Sequence, residues 1–238
     1  MNCLITGSSI GIGRSLAIKL ASLNNNIYIT YLLNELKAKE LQKEIINNYN
    51  VQCFIKKCDL RSEEEIINVV NDFKNKLGNI NLLVNNASIS HDNLIIDKTK
   101  EQFMDVLNVN LVGTFLMTKY AISNMNEGIV INMASTDAID TQSIYNIDYS
   151  ASKAGIISLT KSFALSYQNI KFISIAPNWV DTESTREMNQ DYLKEELKRI
   201  NQKKLITIDT VVNKIIHTIV DKNIESGDLI RIDGDNDE

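Results

Sequence analysis

Short apolar runs alternate along the whole chain with stretches in which apolar residues recur every three to four positions. The first pattern predicts buried β-strands, and the second predicts amphipathic helices. Strands are predicted at residues 2–6, 26–31, 51–57, 81–85, 128–133, 171–175 and 228–232. This alternation predicts an α/β fold: a doubly wound parallel sheet of seven strands with helices on both faces.

Capping signatures mark two of the predicted helix starts. Ser62 precedes Glu65 by three residues, Thr99 precedes Gln102 by three, and each pair leads into a run with helical periodicity. A further helix is predicted at residues 210–220. Segment 181–190 follows the sixth predicted strand and lacks strong periodicity, so we expect a mobile loop or lid there.

Length and composition favour one domain that spans residues 1–238. Of the 238 residues, 44% are hydrophobic, which is enough for a sizeable core. The net charge of -5, without a basic stripe, predicts no nucleic-acid partner. The chain shows neither a signal segment nor an apolar run that could span a bilayer, so we expect a cytoplasmic protein without a membrane partner.

The three cysteines, Cys3, Cys53 and Cys58, are odd in number and lack the close pairs that are typical of a zinc site. We expect inert buried thiols and no metal site.

The first predicted strand runs into a glycine-rich turn that reads Thr6-Gly7-Ser8-Ser9-Ile10-Gly11-Ile12-Gly13. A helix pattern follows, so a dinucleotide pyrophosphate could bind at the helix N-terminus. A Cβ at these glycines would block the close approach of backbone to phosphate or of helix to strand. A glycine-rich turn that binds nothing is the alternative. The spacing G-x-x-x-G-x-G resembles that of the short-chain dehydrogenase/reductase family.

Further segments resemble the same family in its order along the chain. They are Asp59-Leu60, Asn85-Asn86-Ala87-Ser88, Asn110, Ser135, Tyr149-Ser150-Ala151-Ser152-Lys153, Pro177-Asn178-Trp179-Val180-Asp181-Thr182 and Gly227 with Asp233-Gly234. The resemblance covers essentially the whole chain and implies a Rossmann-type fold. It implies cofactor contacts at Gly7, Ser9, Ile10, Gly11, Ile12, Gly13, Tyr31, Asp59, Leu60, Asn86, Ala87, Tyr149, Lys153, Pro177, Val180 and Thr182.

The choice of cofactor depends on the end of the second predicted strand. NAD-specific members of the family carry an acid there, whereas this chain has Tyr31. NADP-specific members place Arg or Lys there or before the second glycine, where this chain has Leu32 and Ile10. We predict NADP(H), with Asn34 and backbone amides as phosphate contacts, and NAD(H) stays open.

The reduction of a ketone requires a proton donor within hydrogen-bonding reach of the carbonyl oxygen. Tyr149 is the candidate acid, and Lys153, four residues later in a helix, lies on the same face. A nearby ammonium group should lower the phenol pKa from about 10. By itself such a pair is common on helix surfaces. The family resemblance adds that Ser135 orients the substrate oxygen, that Lys153 bonds the nicotinamide ribose, and that Asn110 holds a water that feeds protons through Lys153.

Several positions depart from the family pattern. Ser88, Asn178 and Asp235 replace glycines, and we expect Asn178 to keep its turn because Asn tolerates left-handed backbone. Three acids, Asp137, Asp140 and Asp148, predict an acidic loop on the substrate side. We expect no catalytic role for Tyr145, which has no cation four residues later, nor for His91 and His217.

The segment His91-Asp92-Asn93-Leu94, followed by residues 103–113, looks most like the bacterial 3-oxoacyl-ACP reductase branch of the family. That resemblance implies a carbonyl reductase with a small or carrier-bound substrate, assembled as a homotetramer or homodimer. A polyol, sugar or other secondary-alcohol dehydrogenase of the same family remains an alternative. A dinucleotide-binding regulator without turnover is the alternative from another class.

Overall fold

A computed structural model describes residues 1–234. Its seven strands form one parallel sheet in the order β3-β2-β1-β4-β5-β6-β7. Their bounds are β1 Asn2–Ile5, β2 Asn26–Tyr31, β3 Cys53–Lys57, β4 Leu82–Asn85, β5 Gly128–Met133, β6 Ile170–Pro177 and β7 Leu229–Ile232. The predicted α/β fold is confirmed, and each strand lies within two residues of its predicted bounds.

The helices are α1 Gly11–Ser22, α2 Glu35–Asn48, α3 Glu63–Leu77, α4 Lys100–Val106, α5 Gly113–Ile122, α6 Ile147–Ser166, α7 Glu183–Glu187, α8 Gln190–Arg199 and α9 Ile208–Val220. Both predicted caps are confirmed: the Ser62 hydroxyl accepts from the N–H of Glu65, and Thr99 forms a capping box with Gln102. Within residues 1–234 no helix is long and apolar enough to cross a membrane.

The sheet is covered on both faces because side chains of successive strand residues point to opposite sides. Ile27 and Ile29 pack with α1, α2 and α9, whereas Tyr28 packs with α3 and α5 on the other face. All three side chains are fully buried. The strand order reverses between β1 and β4, and in such sheets ligands bind beyond the carboxyl ends of the strands at that point.

The predicted loop at residues 181–190 is partly helical, so the expectation of an irregular segment is wrong. The Thr182 hydroxyl accepts a hydrogen bond from the N–H of Thr185 and starts α7, and α8 begins at Gln190. A helix of five residues is too short for its periodicity to show in the sequence.

The three cysteine thiols are free and buried, as predicted. Burial raises the pKa of each thiol, for Cys3, Cys53 and Cys58, to about 12. No group of three or more His, Cys, Asp or Glu side chains in residues 1–234 is placed to hold a metal ion.

Candidate active site

The glycine-rich turn between β1 and α1 lies at the edge where the strand order reverses. Gly11 begins α1 with a φ of +59°, and a Cβ built there meets no heavy atom of residues 1–234 within 4 Å. Ile10 provides no side-chain cap, and the first turn of α1 carries no acidic residue. The first N–H groups of α1 can therefore bind a negative group. This open turn fits a dinucleotide pyrophosphate.

The other two glycines of the turn serve packing. A Cβ at Gly7 would lie 2.7 Å from the Cα of Ala87, and one at Gly13 would lie 2.6 Å from Nδ2 of Asn86. The Asn86 amide donates hydrogen bonds of 3.0 Å to the carbonyls of Thr6 and Gly7. The segment after β4 thus fixes the shape of the turn.

We expect Gly11→Ala to weaken cofactor binding about tenfold or more, because its Cβ enters the space beside the helix N-terminus. Gly78→Ala is the matched control. Gly78 also has a positive φ, +76°, with no heavy atom of residues 1–234 within 4 Å of its Cβ, but it lies at the end of α3. Both variants should lose similar stability in thermal unfolding, and titration with NADPH should separate them. Equal affinities of the two variants would contradict the role of Gly11.

A cleft of about 390 Å³ extends from the turn across the ends of β1, β2, β3 and β4. Fourteen of the sixteen predicted cofactor contacts line it: Gly7, Ser9, Ile10, Gly11, Ile12, Tyr31, Asp59, Leu60, Asn86, Ala87, Tyr149, Lys153, Pro177 and Thr182. Gly13 is buried in the packing beneath the turn, and Val180 lines a second, neighbouring cavity.

The cleft also contains residues that the sequence analysis missed, among them Arg61 and Glu183. Arg61 donates to both carboxylate oxygens of Asp59, at 2.8 and 2.9 Å, and lowers the pKa of that carboxyl group. Its position in the sequence, two residues after the predicted cofactor contact Asp59, could have indicated that Arg61 also lies in the cleft. Its second partner, Asp105 at 2.9 Å, is distant in the sequence.

Ser135, Tyr149 and Lys153 converge where the cleft meets the second cavity. Ser135 follows β5, and its hydroxyl accepts a hydrogen bond of 3.2 Å from the N–H of Asp137. The Lys153 ammonium lies 5.2 Å from the centre of the Tyr149 ring and donates a hydrogen bond of 2.7 Å to the carbonyl of Met133. Only 2% of Lys153 is exposed. The three side chains can therefore act on one group bound beside Tyr149.

The expectation that Lys153 lowers the phenol pKa is wrong for the chain by itself. Burial raises the pKa of Tyr149, the Asp137 carboxylate raises it further, and the nearby Ser135 hydroxyl opposes both effects. Burial lowers the pKa of Lys153 to about 7, and Asp137 opposes that shift. Burial thus dominates both shifts, because it disfavours the charged form of each group.

Asn110 lies in a π-helical turn, Leu107–Val112, that joins α4 to α5. Its side chain accepts from the N–H of Ile89 and donates to the Ile89 carbonyl, each at 2.9 Å, and to the Ser152 hydroxyl at 3.1 Å. Asn110 therefore links the loop after β4 to α6. A role for it in holding a water stays a prediction.

The second cavity, of about 530 Å³, is on the far side of Tyr149 and includes Ser135 and Trp179. Of the three acids expected there, only Asp137 lines it. Asp140 forms an ion pair of 2.6 Å with Arg231. Asp148, directly before Tyr149, lies 3.0 Å from the ammonium of Lys98, and both side chains are buried. The acidic character of the loop is thus concentrated at Asp137.

The departures from the family pattern have different outcomes. Ser88 lines both cavities. Asn178 is not left-handed, because the only non-glycine residues of 1–234 with positive φ are Asn24 and Asn201. Its side chain instead accepts a hydrogen bond of 3.0 Å from the N–H of Trp179. Asp235 lies outside the described residues.

Three further side chains are outside both cavities. His91 pairs with Asp105 at 3.1 Å, and His217 is in the last turn of α9. Tyr145 packs edge-on against Tyr192, with ring centres 5.1 Å apart.

Comparisons with known proteins decide the family. The sequence profile described as "short chain dehydrogenase" matches residues 1–193. The chain belongs to the short-chain dehydrogenase family. It is 32% identical over 237 residues to the 3-oxoacyl-[acyl-carrier-protein] reductase FabG of Aquifex aeolicus (strain VF5), covering 97% of this chain and 95% of that protein.

Two solved structures share the fold. A dehydrogenase/reductase from Sinorhizobium meliloti 1021 has a TM-score of 0.91 at 24% identity, covering 98% of this chain and 93% of that one. A short chain dehydrogenase from Burkholderia cenocepacia J2315 in complex with NADP has a TM-score of 0.90 at 24% identity, covering 98% and 96%. The present short-chain dehydrogenase is an NAD(P)-dependent oxidoreductase that acts on CH–OH or C=O groups.

Proposed function

We propose that this short-chain dehydrogenase is an NADP(H)-dependent reductase of 3-oxoacyl chains carried as thioesters on acyl carrier protein. The observation that carries the proposal is the convergence of Ser135, Tyr149 and Lys153 at the junction of the two cavities. The similarity to the Aquifex aeolicus FabG over 97% of the chain supports the substrate class.

In this proposal a nicotinamide in the cleft supplies the hydride. The phenol of Tyr149 gives its proton to the carbonyl oxygen of the substrate, so the developing alkoxide is neutralised. The phenol is protonated near neutral pH, and burial raises its pKa further, so the proton leaves only to a strong base such as the developing alkoxide. Ser135 donates to the same carbonyl oxygen and fixes its position. Lys153, held by the Met133 carbonyl, orients the cofactor ribose beside the phenol.

The end of β2 supports NADP(H) as the preferred cofactor. Tyr31, Leu32, Leu33 and Asn34 line this part of the cleft, and none of them carries a negative charge that would repel a 2′-phosphate. Asn34 precedes α2 without capping it, so its amide is free to contact a phosphate. NAD(H) remains the alternative.

One set of measurements tests the cofactor and the substrate class together. We expect the dissociation constant of NADPH to be at least about tenfold below that of NADH, measured by the nicotinamide fluorescence of the complexes. We expect an acetoacetyl thioester to be reduced faster than simple ketones or sugars, followed by the loss of nicotinamide absorbance. Comparable dissociation constants would refute the cofactor preference.

The same panel separates the other functions. Faster turnover of a polyol or sugar would favour a sugar or secondary-alcohol dehydrogenase, a function that the hydroxyl and amide groups in the second cavity also fit. Tight cofactor binding without turnover of any carbonyl or alcohol would favour a regulator.

We also propose that the protein is a cytoplasmic homo-oligomer. In each subunit a single domain, residues 1–238, carries both the cofactor site and the substrate site.

A further inference from the structure

The charged side chains that line the second cavity, among the described residues, are all acidic. Its charged side chains among residues 1–234 are Asp92 and Asp137, and neither Lys nor Arg lines it. Hydroxyl, amide and apolar groups form the rest of its wall. A ligand in this cavity therefore meets negative charge that is not balanced within the wall.

Asp137 is held firmly and is 8% exposed. Its Oδ1 accepts a hydrogen bond from the hydroxyl of Thr141, and its Oδ2 accepts one from the amide of Asn146, each at 3.1 Å. Burial raises the pKa of Asp137, and a donor on each oxygen opposes that shift because it favours the ionised carboxylate. The Asp137 carboxylate is thus held in place, and its exposed part lines the second cavity.

The two cations that interact with Asp137, Arg199 and Lys153, do not line the second cavity. Arg199 is paired with Glu196 at 2.7 Å. Lys153 faces the cofactor cleft and donates to the Met133 carbonyl. On the loop after β4, Asp92 adds a second negative charge beside Tyr149.

We propose that Asp137, assisted by Asp92, makes this site select carbonyl substrates whose acid group is masked as a thioester, ester or amide. Substrates with a free carboxylate or phosphate next to the reacting carbonyl are rejected. The inference rests on the proposed carbonyl reduction and goes beyond it, because it concerns the charge of the substrate. Two like charges about 6 Å apart repel each other, and at an effective dielectric constant near 20 this repulsion weakens the binding of the charged ligand about a hundredfold.

The test compares acetoacetate with acetoacetamide, a neutral molecule of nearly the same size, in the presence of saturating NADPH at pH 7.5. For the unaltered chain we expect kcat/KM for acetoacetamide to exceed that for acetoacetate about a hundredfold. The Asp137→Asn variant should reduce this ratio at least about tenfold, mainly by improving the use of acetoacetate. Because the ratio compares two ligands of one protein, a general loss of activity cancels.

Two further variants keep the test sharp. Asp92→Asn, at an exposed position, should reduce the ratio by a smaller factor and serves if Asp137→Asn fails to fold. Asp140→Asn, in the same loop but paired with Arg231 outside the cavity, should leave the ratio unchanged. Equal use of the two ligands by the unaltered chain, or an unchanged ratio in both cavity variants, would overturn the inference.

The binding of the same two ligands to the NADPH complex, followed by nicotinamide fluorescence, distinguishes this failure from failure of the proposed function. A preference for acetoacetamide in binding, without turnover of either ligand, would support the charge selection and contradict the reductase. Turnover of both ligands at equal rates would support the reductase and contradict the charge selection.

Discussion

Turnover by the Tyr149→Phe variant is expected to fall about a thousandfold or more, because the phenylalanine ring fills the same space but has no proton to give. Cofactor affinity should change by no more than about threefold, since the loss concerns the reacting oxygen rather than the binding of the dinucleotide. Steady-state reduction of the acetoacetyl thioester and titration with NADPH measure the two quantities.

The matched control is Tyr145→Phe, which removes the same hydroxyl group four residues earlier. Tyr145 packs against Tyr192 and is not among the residues that line either cavity. Its variant should keep near-normal activity. If Tyr149→Phe were also close to normal, the assignment of Tyr149 as the acid would be wrong.

Lys153→Met is expected to reduce turnover about a hundredfold or more and also to weaken cofactor binding, because in the proposed function Lys153 orients the cofactor ribose beside the Tyr149 phenol. Methionine matches the length and flexibility of the lysine stem, so the packing between β5 and α6 should survive. The loss of neither activity nor affinity would show that the pair with Tyr149 has another role.

The same variant has an effect on stability whose sign follows from the pKa. Burial lowers the pKa of Lys153 from its ordinary 10.5 to about 7. Between these two values the unfolded chain binds more protons at this position, so Lys153 makes the free energy of unfolding fall as the pH falls. Lys153→Met should remove this dependence, and denaturant unfolding from pH 7 to pH 10 measures it. An unchanged slope would mean that the buried ammonium keeps its usual pKa.

The sheet could be predicted from the sequence because its strands are buried on both faces. Ile27, Tyr28 and Ile29 are all apolar although they point to opposite sides, and such continuous runs are typical of parallel sheets. The helix α7 escaped prediction since its five residues are held by one cap at Thr182 rather than by an apolar stripe.

The candidate catalytic side chains could be named from the sequence because the order of the family's motifs is visible along the chain. The charged partners could not, because they come from distant segments. Asp148 is neutralised by Lys98, fifty residues earlier, and Arg61 contacts Asp105 across two elements. The pKa shifts of Tyr149 and Lys153 could not be predicted for the same reason, since burial depends on the packing of the whole site.

The three buried cysteines give the folded chain a chemical property of its own. A thiol with a pKa of about 12 carries about one thiolate in ten thousand near pH 8, and only the thiolate reacts with alkylating agents. The unfolded chain exposes ordinary thiols that react freely. The rate at which an alkylating agent modifies this protein therefore measures how often its core opens. A ligand that stabilises the fold slows this reaction, so its binding can be detected without any knowledge of the substrate.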